Sequence, residues 1–315
     1  MGLEVIPVTH AIEIANRKIN YYRKEDLPGL VSRWPVINKI MGGYFRFGEV
    51  LIICGSSGSG KSYFLNMLRD DFLSDLNKNY KRDFKILSFS FEMSSADEII
   101  RTYASKLQTS YSDLVSANNK ISDEEYDKIL NVGKNISNNK LFFVETSGNY
   151  QQIYETVKQF WEENNHCNLV ITMDHTLLAE YLNENSEVEL VSNLSRLSIR
   201  LRKEFGALVI FLSQLNDKIE QVERINNASL HYPQRTDIHG SKSIYMAADT
   251  LMIIHRPEKL GIIQYGPRYF STSHMVALHF LKSRLYGTEG VVLMREDLSK
   301  GNLIFPYNNT ENLEI

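Results

Sequence analysis

Residues 50–62 read Val-Leu-Ile-Ile-Cys-Gly-Ser-Ser-Gly-Ser-Gly-Lys-Ser, and this stretch decides the fold. The apolar run Val50–Cys54 predicts a buried strand, and the residues after Lys61 have the apolar spacing of a helix. Between the two, residues 55–62 fit the pattern G-x-x-x-x-G-K-[ST]. A strand, a glycine-rich loop and a helix in this order predict a loop that cradles phosphate groups.

The chemistry of phosphate binding explains the residue types in this loop. Glycines let backbone N–H groups turn toward phosphate oxygens, and the helix N-terminus adds the positive end of its dipole. We expect Lys61 to reach the β- and γ-phosphates and the Ser62 hydroxyl to hold Mg²⁺. The flanking strand and helix disfavour the alternative, a turn without a ligand. A nucleoside triphosphate is therefore the predicted ligand, bound by Gly55, Ser56, Ser57, Gly58, Ser59, Gly60, Lys61 and Ser62.

The chain beyond this motif alternates short apolar runs with longer amphipathic stretches. The predicted strands are Val50–Cys54, Lys85–Phe91, Leu141–Glu145, Leu169–Asp174, Ala207–Leu212, Thr250–His255 and Met275–Lys282. The predicted helices are Lys61–Leu76, Ala96–Leu107, Asp123–Ile136, Gln151–Asn164 and Glu187–Phe205. Continuous apolar strands separated by helices predict an α/β fold, in which helices flank a mostly parallel, twisted sheet. The segment Ile225–Lys242 lacks periodicity and is predicted to be a long functional loop.

Local signals predict where three helices begin. Ser-x-x-Glu capping boxes are read at Ser95/Glu98 and Ser122/Glu125, and Thr9 is the predicted cap of an N-terminal helix. That helix has apolar residues on one side and basic residues on the other, and Pro28-Gly29 follows it. It either packs on its own domain or docks on a neighbouring subunit, and the sequence leaves both alternatives open.

Acidic residues follow two of the predicted strands. Asp174 ends one strand, where a parallel sheet presents its ligand-bearing edge, and is expected to hold Mg²⁺ through water. Glu92 follows another strand and could orient and deprotonate an attacking water. Glu145, which also ends a strand, is its rival, and each of these acids alone could be a solvated group or a helix cap.

Polar and basic residues follow two further strands. Gln214 could touch the γ-phosphate and a mobile segment, although a Ser213-Gln214 helix cap is the plainer alternative. Lys282 and Arg284 alternate along a strand, so both should point the same way. Two cations directed at a γ-phosphate would stabilise the transition state, whereas by residue type alone they would be a solvated basic pair.

Composition sets the broad class of protein. The 315 residues are 43% hydrophobic and 23% charged, which excludes a disordered tail, a collagen-like rod and a disulfide scaffold. The only two cysteines lie in apolar runs, so a reducing cytoplasm is the expected compartment, and no apolar run is long enough to predict a membrane span. The net charge of −3 argues against a protein coated with nucleic acid but allows a narrow basic channel.

Taken together, these segments resemble the ATPase domain of DnaB-type (superfamily 4) hexameric replicative DNA helicases, a RecA-like P-loop NTPase fold. The resemblance covers the region from Leu27 to about Leu293. It rests on the phosphate loop and on the segments Phe89–Ser94 (Phe-Ser-Phe-Glu-Met-Ser), Ile171–His175, Phe211–Asn216, Thr236–Asp249 and Lys282–Gly290. The Glu-Met-Ser, Ser-Gln-Leu-Asn and Lys-x-Arg pieces are far more selective than the phosphate loop alone.

The resemblance implies roles for the residues already singled out. It selects Glu92 over Glu145 as the catalytic glutamate, makes Gln214 the γ-phosphate sensor, and directs Lys282 and Arg284 at the ATP of the adjacent subunit. It also implies a DNA-binding loop at Arg235, His239, Gly240, Ser241 and Lys242. The implied protein is a ring, of six subunits, that uses ATP and Mg²⁺ to move on single-stranded DNA at a replication fork, with a primase or a loader as a further partner.

The sequence also departs from the family. The usual N-terminal collar domain is not found, so residues 1–26 are expected to be a helical arm and residues 27–315 the ATPase domain. His239-Gly240-Ser241-Lys242 stands where acidic and arginine residues are more usual, so the DNA contacts cannot be carried over one by one. These departures suggest a phage or mobile-element version, in a bacterial or phage-infected cytoplasm.

Two other functions are compatible with the motifs. A RecA-paralogue ATPase of recombination shares the phosphate loop and Lys-x-Arg but lacks a comparable Ser-Gln-Leu-Asn segment. A nucleotide-gated scaffold or helicase-loading protein without unwinding activity would bind ATP without DNA-stimulated turnover.

Overall fold

The computed structural model describes residues 5–118, 120–136, 140–174, 179, 184–287, 289–304 and 313–314. The strands in these residues are β1 (Val50–Gly55), β2 (Phe84–Ser90), β3 (Leu141–Val144), β4 (Asn168–Asp174), β5 (Leu208–Gln214), β6 (Thr250–His255), β7 (Gln264–Tyr265), β8 (Phe270–Ser271), β9 (Met275–Ser283), β10 (Gly290–Asp297), β11 (Asn302–Ile304) and β12 (Leu313–Glu314). The α-helices are α1 (Val8–Lys24), α2 (Pro35–Ile40), α3 (Lys61–Phe72), α4 (Ser95–Leu107), α5 (Tyr111–Val115), α6 (Asp123–Ile136), α7 (Tyr150–Glu163), α8 (Glu187–Phe205), α9 (Val222–Asn226) and α10 (Ser241–Ala247).

One large sheet organises the described residues. Its strand order is β11-β10-β9-β6-β1-β5-β4-β2-β3, with β12 beside β10, and β7 and β8 form a separate hairpin. The six strands from β6 to β3 are mutually parallel, whereas β9, β10, β11 and β12 pair antiparallel with their neighbours. The sheet is thus mostly parallel as predicted, with an antiparallel extension on one side.

Hydrophobic layers cover both faces of the sheet, which explains why the central strands are continuously apolar. One layer joins α2 and α3 to the sheet and includes Trp34 stacked on Phe64, with ring centroids 5.1 Å apart. The other layer packs α7, α8 and α10 against the opposite face. A third, smaller cluster lies between β9, β10 and the β7–β8 hairpin, and it includes fully buried Tyr265.

The predicted elements lie within a few residues of the observed ones, and two helices, Asp123–Ile136 and Glu187–Phe205, have the predicted bounds. Two local predictions were wrong. Ser94 caps α4, accepting from Asp97 N–H at 3.1 Å, while Glu98 points into the core. Helix α1 begins at Val8, and its N-cap Pro7 has no side-chain capping bond, so Thr9 lies inside the helix. The second capping box is confirmed, because Ser122 and Glu125 exchange both bonds.

The predicted long loop at 225–242 is also wrong in part. Helix α9 extends to Asn226, and short 3₁₀ turns at Ala228–Leu230 and Arg235–Asp237 precede α10. The turns are individually too short to leave an apolar period in the sequence.

Helix α1 has no buried residue. Its C-terminal end meets the rest of the described chain: the Arg46 guanidinium lies 4.7 Å from the Tyr22 ring, and Tyr21 Oη donates to Pro28 O at 3.2 Å. Ile12 and Ile19 are 53% and 64% exposed, so an apolar stripe on α1 faces solvent. Among the described helices, none combines the length and the apolar character that crossing a bilayer requires.

Candidate functional site

The carboxyl ends of the parallel strands surround one cavity of about 500 Å³. Gly55 pairs in register with Gln214, and Ser90 pairs with Asp174, so separate strand ends meet at this edge of the sheet. The residues that line the cavity are Ser57, Gly58, Gly60, Lys61, Ser62, Tyr63, Glu92, Arg101, Asp174, Gln214, Arg256, Lys259, Glu296 and Leu298. The cavity therefore brings together five of the eight predicted phosphate-loop residues, the predicted metal ligands and the predicted catalytic glutamate.

The phosphate loop has the backbone that its glycines predict. Gly60 has φ +98°, in the left-handed region, and α3 begins at the next residue. A Cβ on Gly55 would lie 2.7 Å from Ile254 O, so only glycine fits between the loop and β6. Lys61 Nζ donates to Gly55 O and Ser56 O at 2.8 and 2.9 Å, and burial lowers the pKa of this amine.

Ser62 and Asp174 lie together at the end of the loop. Burial raises the pKa of the Asp174 carboxyl, and a hydrogen bond from the Ser62 hydroxyl opposes that rise. A hydroxyl and a carboxylate side by side, next to a phosphate loop, are the oxygen ligands that Mg²⁺ takes in nucleotide sites. The donor set therefore fits the expected ion.

The two candidate glutamates lie in different surroundings. Glu92 is exposed and lines the cavity, in the short connection between β2 and α4. Glu145 accepts from Ser95 N–H at 2.6 Å, at the first turn of α4, and hydrogen bonds from the Ser95 side chain and from this N–H lower the pKa of its carboxyl. Glu145 thus serves the helix terminus, and the geometry favours Glu92 for work on a bound nucleotide.

Sequence reasoning missed several residues of the cavity wall. Arg256 directly follows β6, so the rule of strand ends that located Asp174 could have found it. Its guanidinium pairs with Glu296, at the end of β10, and Lys259 lies in the turn after β6. Glu296 comes from an antiparallel strand that the apolar pattern did not predict, so no sequence signal placed it here. Arg101 reaches the cavity from α4, with its guanidinium 4.6 Å from the Tyr63 ring.

Lys282 and Arg284 lie at the opposite edge of the sheet. Because β9 is antiparallel to β6, Ser283 pairs with Thr250, the first residue of β6. The length of β6, roughly 17 Å at ~3.3 Å per residue, separates Lys282 and Arg284 from the phosphate loop of their own chain. The two cations point the same way, as predicted: Lys282 Nζ donates to Tyr245 O and Arg284 to Met246 O, both on α10.

Buried Asp249 anchors Arg284 at this edge. Its carboxylate lies 3.0 Å from the Arg284 guanidinium and 2.5 Å from that of Arg202, and it accepts from Val50 N–H at 2.9 Å. Arg284 is held in place and remains 45% exposed at its side chain. The pair is therefore presented outward, away from its own cavity.

The predicted DNA loop is hydrogen-bonded to the segment after β5. Gln214 O accepts from His239 N–H at 3.0 Å, and Asn216 N–H donates to Asp237 O at 2.7 Å. Leu215 and Ile238 form an antiparallel bridge between these bonds. Gln214, whose side chain lines the cavity, is thus joined to the predicted DNA loop by a main-chain hydrogen bond.

The residues of this loop have unequal surroundings. Arg235 is exposed, with its guanidinium 4.5 Å from the Tyr245 ring, and Lys242 is exposed on α10. His239 lies 3.5 Å from Glu187 of α8. Gly240 has φ +66° and opens α10, and a Cβ there would lie 2.9 Å from Val191. The side chain of Ser241 is outside the described part of the structure, as are His175 and Thr288.

A second, larger groove of about 670 Å³ lies between α8, α10 and this loop. Arg196, Lys218 and Lys242 line it, together with apolar Ile199 and Met246. Its described lining includes neither the phosphate loop nor the strand-end acids, so the predicted nucleotide residues line the smaller cavity and not this groove. The larger groove belongs to the surface of the predicted DNA loop.

Comparison with known proteins gives the family. The model of the DnaB-like helicase C-terminal domain matches residues 29–292. The chain belongs to this family. It resembles a probable replicative DNA helicase of Trieres chinensis, at 28% identity over 239 residues, and the replicative DNA helicase DnaB of Buchnera aphidicola (subsp. Acyrthosiphon pisum), at 26% over 238 residues. These matches cover 75% and 74% of the chain but 49% and 48% of the relatives, so the chain spans about half the length of the curated relatives it matches.

Solved structures confirm the DnaB-like ATPase fold. One solved ATPase domain superimposes with a TM-score of 0.78 at 18% identity, covering 96% of this chain and 99% of that one. A DnaB-like replicative helicase, solved in a study of its interactions with primase, gives a TM-score of 0.75 at 18% identity, covering 96% and 67%. The expected RecA-like α/β fold is therefore confirmed for this DnaB-like domain.

Proposed function

We propose that this DnaB-like domain is an ATP-driven helicase motor that moves on single-stranded DNA as a ring of six copies. The observation that carries the proposal is the position of Lys282 and Arg284. They are anchored together at the sheet edge opposite their own phosphate loop, and they point outward. Their charge can act on a triphosphate only if a second copy brings its cavity to them.

The cavity residues divide the chemistry of hydrolysis among themselves. The loop N–H groups and Lys61 bind the phosphates, while Ser62 and Asp174 hold Mg²⁺, which neutralises phosphate charge when bound. Glu92 orients the attacking water and accepts its proton. Lys282 and Arg284 of the adjacent copy stabilise the charge that develops on the γ-phosphate.

The main-chain bonds that join residues 214–216 to residues 237–239 support a route from ATP to DNA. Gln214 lines the cavity, so loss of the γ-phosphate changes what its side chain contacts. The loop at 235–242 is bonded to the same segment and would move with it. Arg235 and Lys242 are exposed there, and Arg196 and Lys218 line the neighbouring groove, which suits a DNA backbone read without regard to sequence.

Helix α1 is the proposed arm of each subunit, preceding an ATPase domain that starts near residue 27. Its apolar stripe faces solvent, and its C-terminal end is the part that touches its own domain in the described structure. Apolar Val115, Tyr126 and Leu130 of α5 and α6 are 51%, 52% and 45% exposed, and among the described residues of these helices none is buried. We propose that the arm of one subunit packs on the α5–α6 surface of the next subunit. The proposed compartment is the cytoplasm.

A strand-displacement assay tests this function. The chain is given forks with 5′ or 3′ single-stranded tails, ATP and Mg²⁺, and its mass is measured with and without nucleotide. We expect unwinding of one tail polarity, DNA-stimulated hydrolysis and a ring-sized species. Nucleotide binding without DNA-stimulated hydrolysis would instead support a loading or scaffold protein, and turnover without unwinding would support a recombination ATPase. Primase and a helicase loader are the protein partners to add to the same assay.

A further inference from the structure

A buried ion pair lies beneath the phosphate cavity. Arg69 of α3 and Glu98 of α4 are each 4% exposed, and the Arg69 guanidinium donates to the Glu98 carboxylate. The same guanidinium also donates to Asn66 Oδ1 and Ser88 Oγ. The pair is therefore fully desolvated and joined to its surroundings by hydrogen bonds.

The second oxygen of Glu98 reaches the end of β2. Ser90 Oγ donates to Glu98 Oε1 at 2.5 Å. Ser90 is the last residue of β2, and Glu98 lies in the first turn of α4, so this bond closes the two ends of the connection 91–94. Glu92 lies between the two bonded ends.

The network also touches the other two elements that carry site residues. Arg69 belongs to α3, which begins at Lys61, so its bond to Glu98 ties the phosphate helix to the Glu92 connection. On the other side, Thr172 Oγ1 of β4 donates to Ser88 Oγ at 2.9 Å, two residues before Asp174. One set of buried bonds thus joins the elements that carry Lys61, Glu92 and Asp174.

Stability alone does not explain this pair. Taking two charges out of water costs several kcal/mol each in typical proteins, and an apolar pair of the same volume is often as stable or more stable. The ring of Phe143 lies 5.6 Å from the Arg69 guanidinium, so the pair also has an aromatic neighbour. A directional, fully hydrogen-bonded pair instead fixes one relative position of the elements it joins.

We propose that Arg69, Glu98 and Ser90 are positioning residues for ATP hydrolysis, which set the place of Glu92 relative to the phosphate loop. This inference rests on the proposed function, because it assigns a role in the hydrolysis step. Neither Arg69 nor Glu98 lines the cavity, so their removal should leave the groups that contact phosphate in place. The rate of the chemical step should fall while nucleotide affinity stays unchanged.

The first test replaces the charged pair by an apolar one, Arg69→Met with Glu98→Leu. We expect the variant to fold with a lower melting temperature, because buried Asn66 Oδ1 and Ser90 Oγ lose their partners. The dissociation constant for a fluorescent ATP analogue should stay within about twofold of that of the natural chain, and kcat should fall roughly 10- to 100-fold, the scale of a small misplacement of a reacting group. Arg33→Met is the matched control, because it breaks another ion pair of α3, in which Arg33 Nε lies 2.8 Å from Asp71 Oδ1 and joins α3 to the segment before α2. It should lower the melting temperature and leave kcat unchanged.

The second test changes a single side chain, Ser90, and asks whether its hydroxyl is required. Ser90→Ala removes the bond to Glu98 and should lower kcat about tenfold with KM unchanged, whereas Ser90→Thr keeps the hydroxyl and should restore kcat to within about threefold. This comparison decides the matter if the double variant does not fold. A kcat near the natural value in Ser90→Ala, or an equal loss in Ser90→Thr, overturns the inference. Absence of hydrolysis by the unchanged chain overturns the proposed function and the positioning role with it.

Discussion

At the scale of single residues, Glu49 is an acidic residue at a position where burial disfavours its charged form. It is 6% exposed directly before β1, and burial raises the pKa of its carboxyl to about 7, against a smaller opposing effect of Arg46. Asp249 adds to the rise, and Lys18 and Arg202 oppose it. The folded state therefore holds a proton on Glu49 more tightly than the unfolded chain does.

Because the folded-state pKa is raised, the free energy of unfolding falls as pH rises from about 4.5 to about 7. Glu49→Gln removes the ionisable group that causes this decrease in stability. We therefore expect it to stabilise the chain at pH 8 by about 3 kcal/mol at most, and to have little effect at pH 5. Urea unfolding at both pH values measures the difference. Glu162→Gln, at an exposed position on α7, is the control and should show no pH-dependent gain. An equal change for Glu49→Gln at both pH values would contradict the explanation.

Lys242 is the exposed cation that tests the DNA loop. Lys242→Ala should weaken binding of single-stranded DNA about equally for all sequences, and it should lower the slope of log affinity against log salt by about one. Fluorescence anisotropy with oligonucleotides of different sequence, at several salt concentrations, measures both quantities. Lys158→Ala, on the exposed side of α7, is the control. Unchanged binding at every salt concentration would remove Lys242 from the DNA path.

At the scale of elements, helix α1 is amphipathic, yet its apolar side is left uncovered within one copy. Ile12→Ser combined with Ile19→Ser should leave the melting temperature of the isolated subunit unchanged, because both residues are exposed. The same change should shift the chain from rings to smaller species, since the arm would lose apolar area on its neighbour. Mass photometry with ATP and Mg²⁺ measures the distribution. Rings that persist at the natural concentration would show that α1 does not hold the assembly.

The elements also show what a sequence can and cannot predict here. The parallel strands were predicted because burial on both faces requires a continuous apolar run, and the strand-end rule then placed Gly55, Asp174 and Gln214 at one edge. Lys282 and Arg284 depend on the direction of β9, which the apolar run Met275–Lys282 does not encode. Their separation from the phosphate loop consequently results from the antiparallel pairing of β9 with β6, and only the structure shows this pairing.

The contacts of buried polar residues were the other feature that the sequence did not predict. Glu98 matches a capping box three residues after Ser95, so its sequence context predicted a solvated helix terminus. Tertiary contacts overrode this local signal, because Ser94 took the cap and Arg69 offered Glu98 a partner in the core. Glu98, which we propose as a positioning residue, was therefore predicted wrongly from the sequence. Arg256 and Glu296 likewise meet across 40 positions of the chain, beyond the reach of any local pattern.

At the scale of the whole molecule, the proposed active site is divided between two copies. Lys61→Ala removes the buried amine of the phosphate loop, and Arg284→Ala removes the cation at the other edge. Each variant alone should lose hydrolysis by roughly 10²–10³-fold, the usual cost of one group that stabilises transition-state charge. Both should keep the fold, because Lys61 opens α3 and Arg284 directly follows β9, and neither belongs to the hydrophobic layers.

Mixing the two inactive variants tests the division directly. In a ring, the Arg284→Ala subunit still offers an intact phosphate loop, and the Lys61→Ala subunit still offers an intact arginine. With equal amounts and random assembly, about a quarter of the head-to-tail interfaces unite both intact halves, so up to about a quarter of the natural ATPase rate should return. Cross-linking or native mass spectrometry establishes that mixed rings have formed. A mixed ring without recovered hydrolysis would show that Arg284 does not act on the neighbour's nucleotide, because the two halves would then be present and adjacent yet inactive.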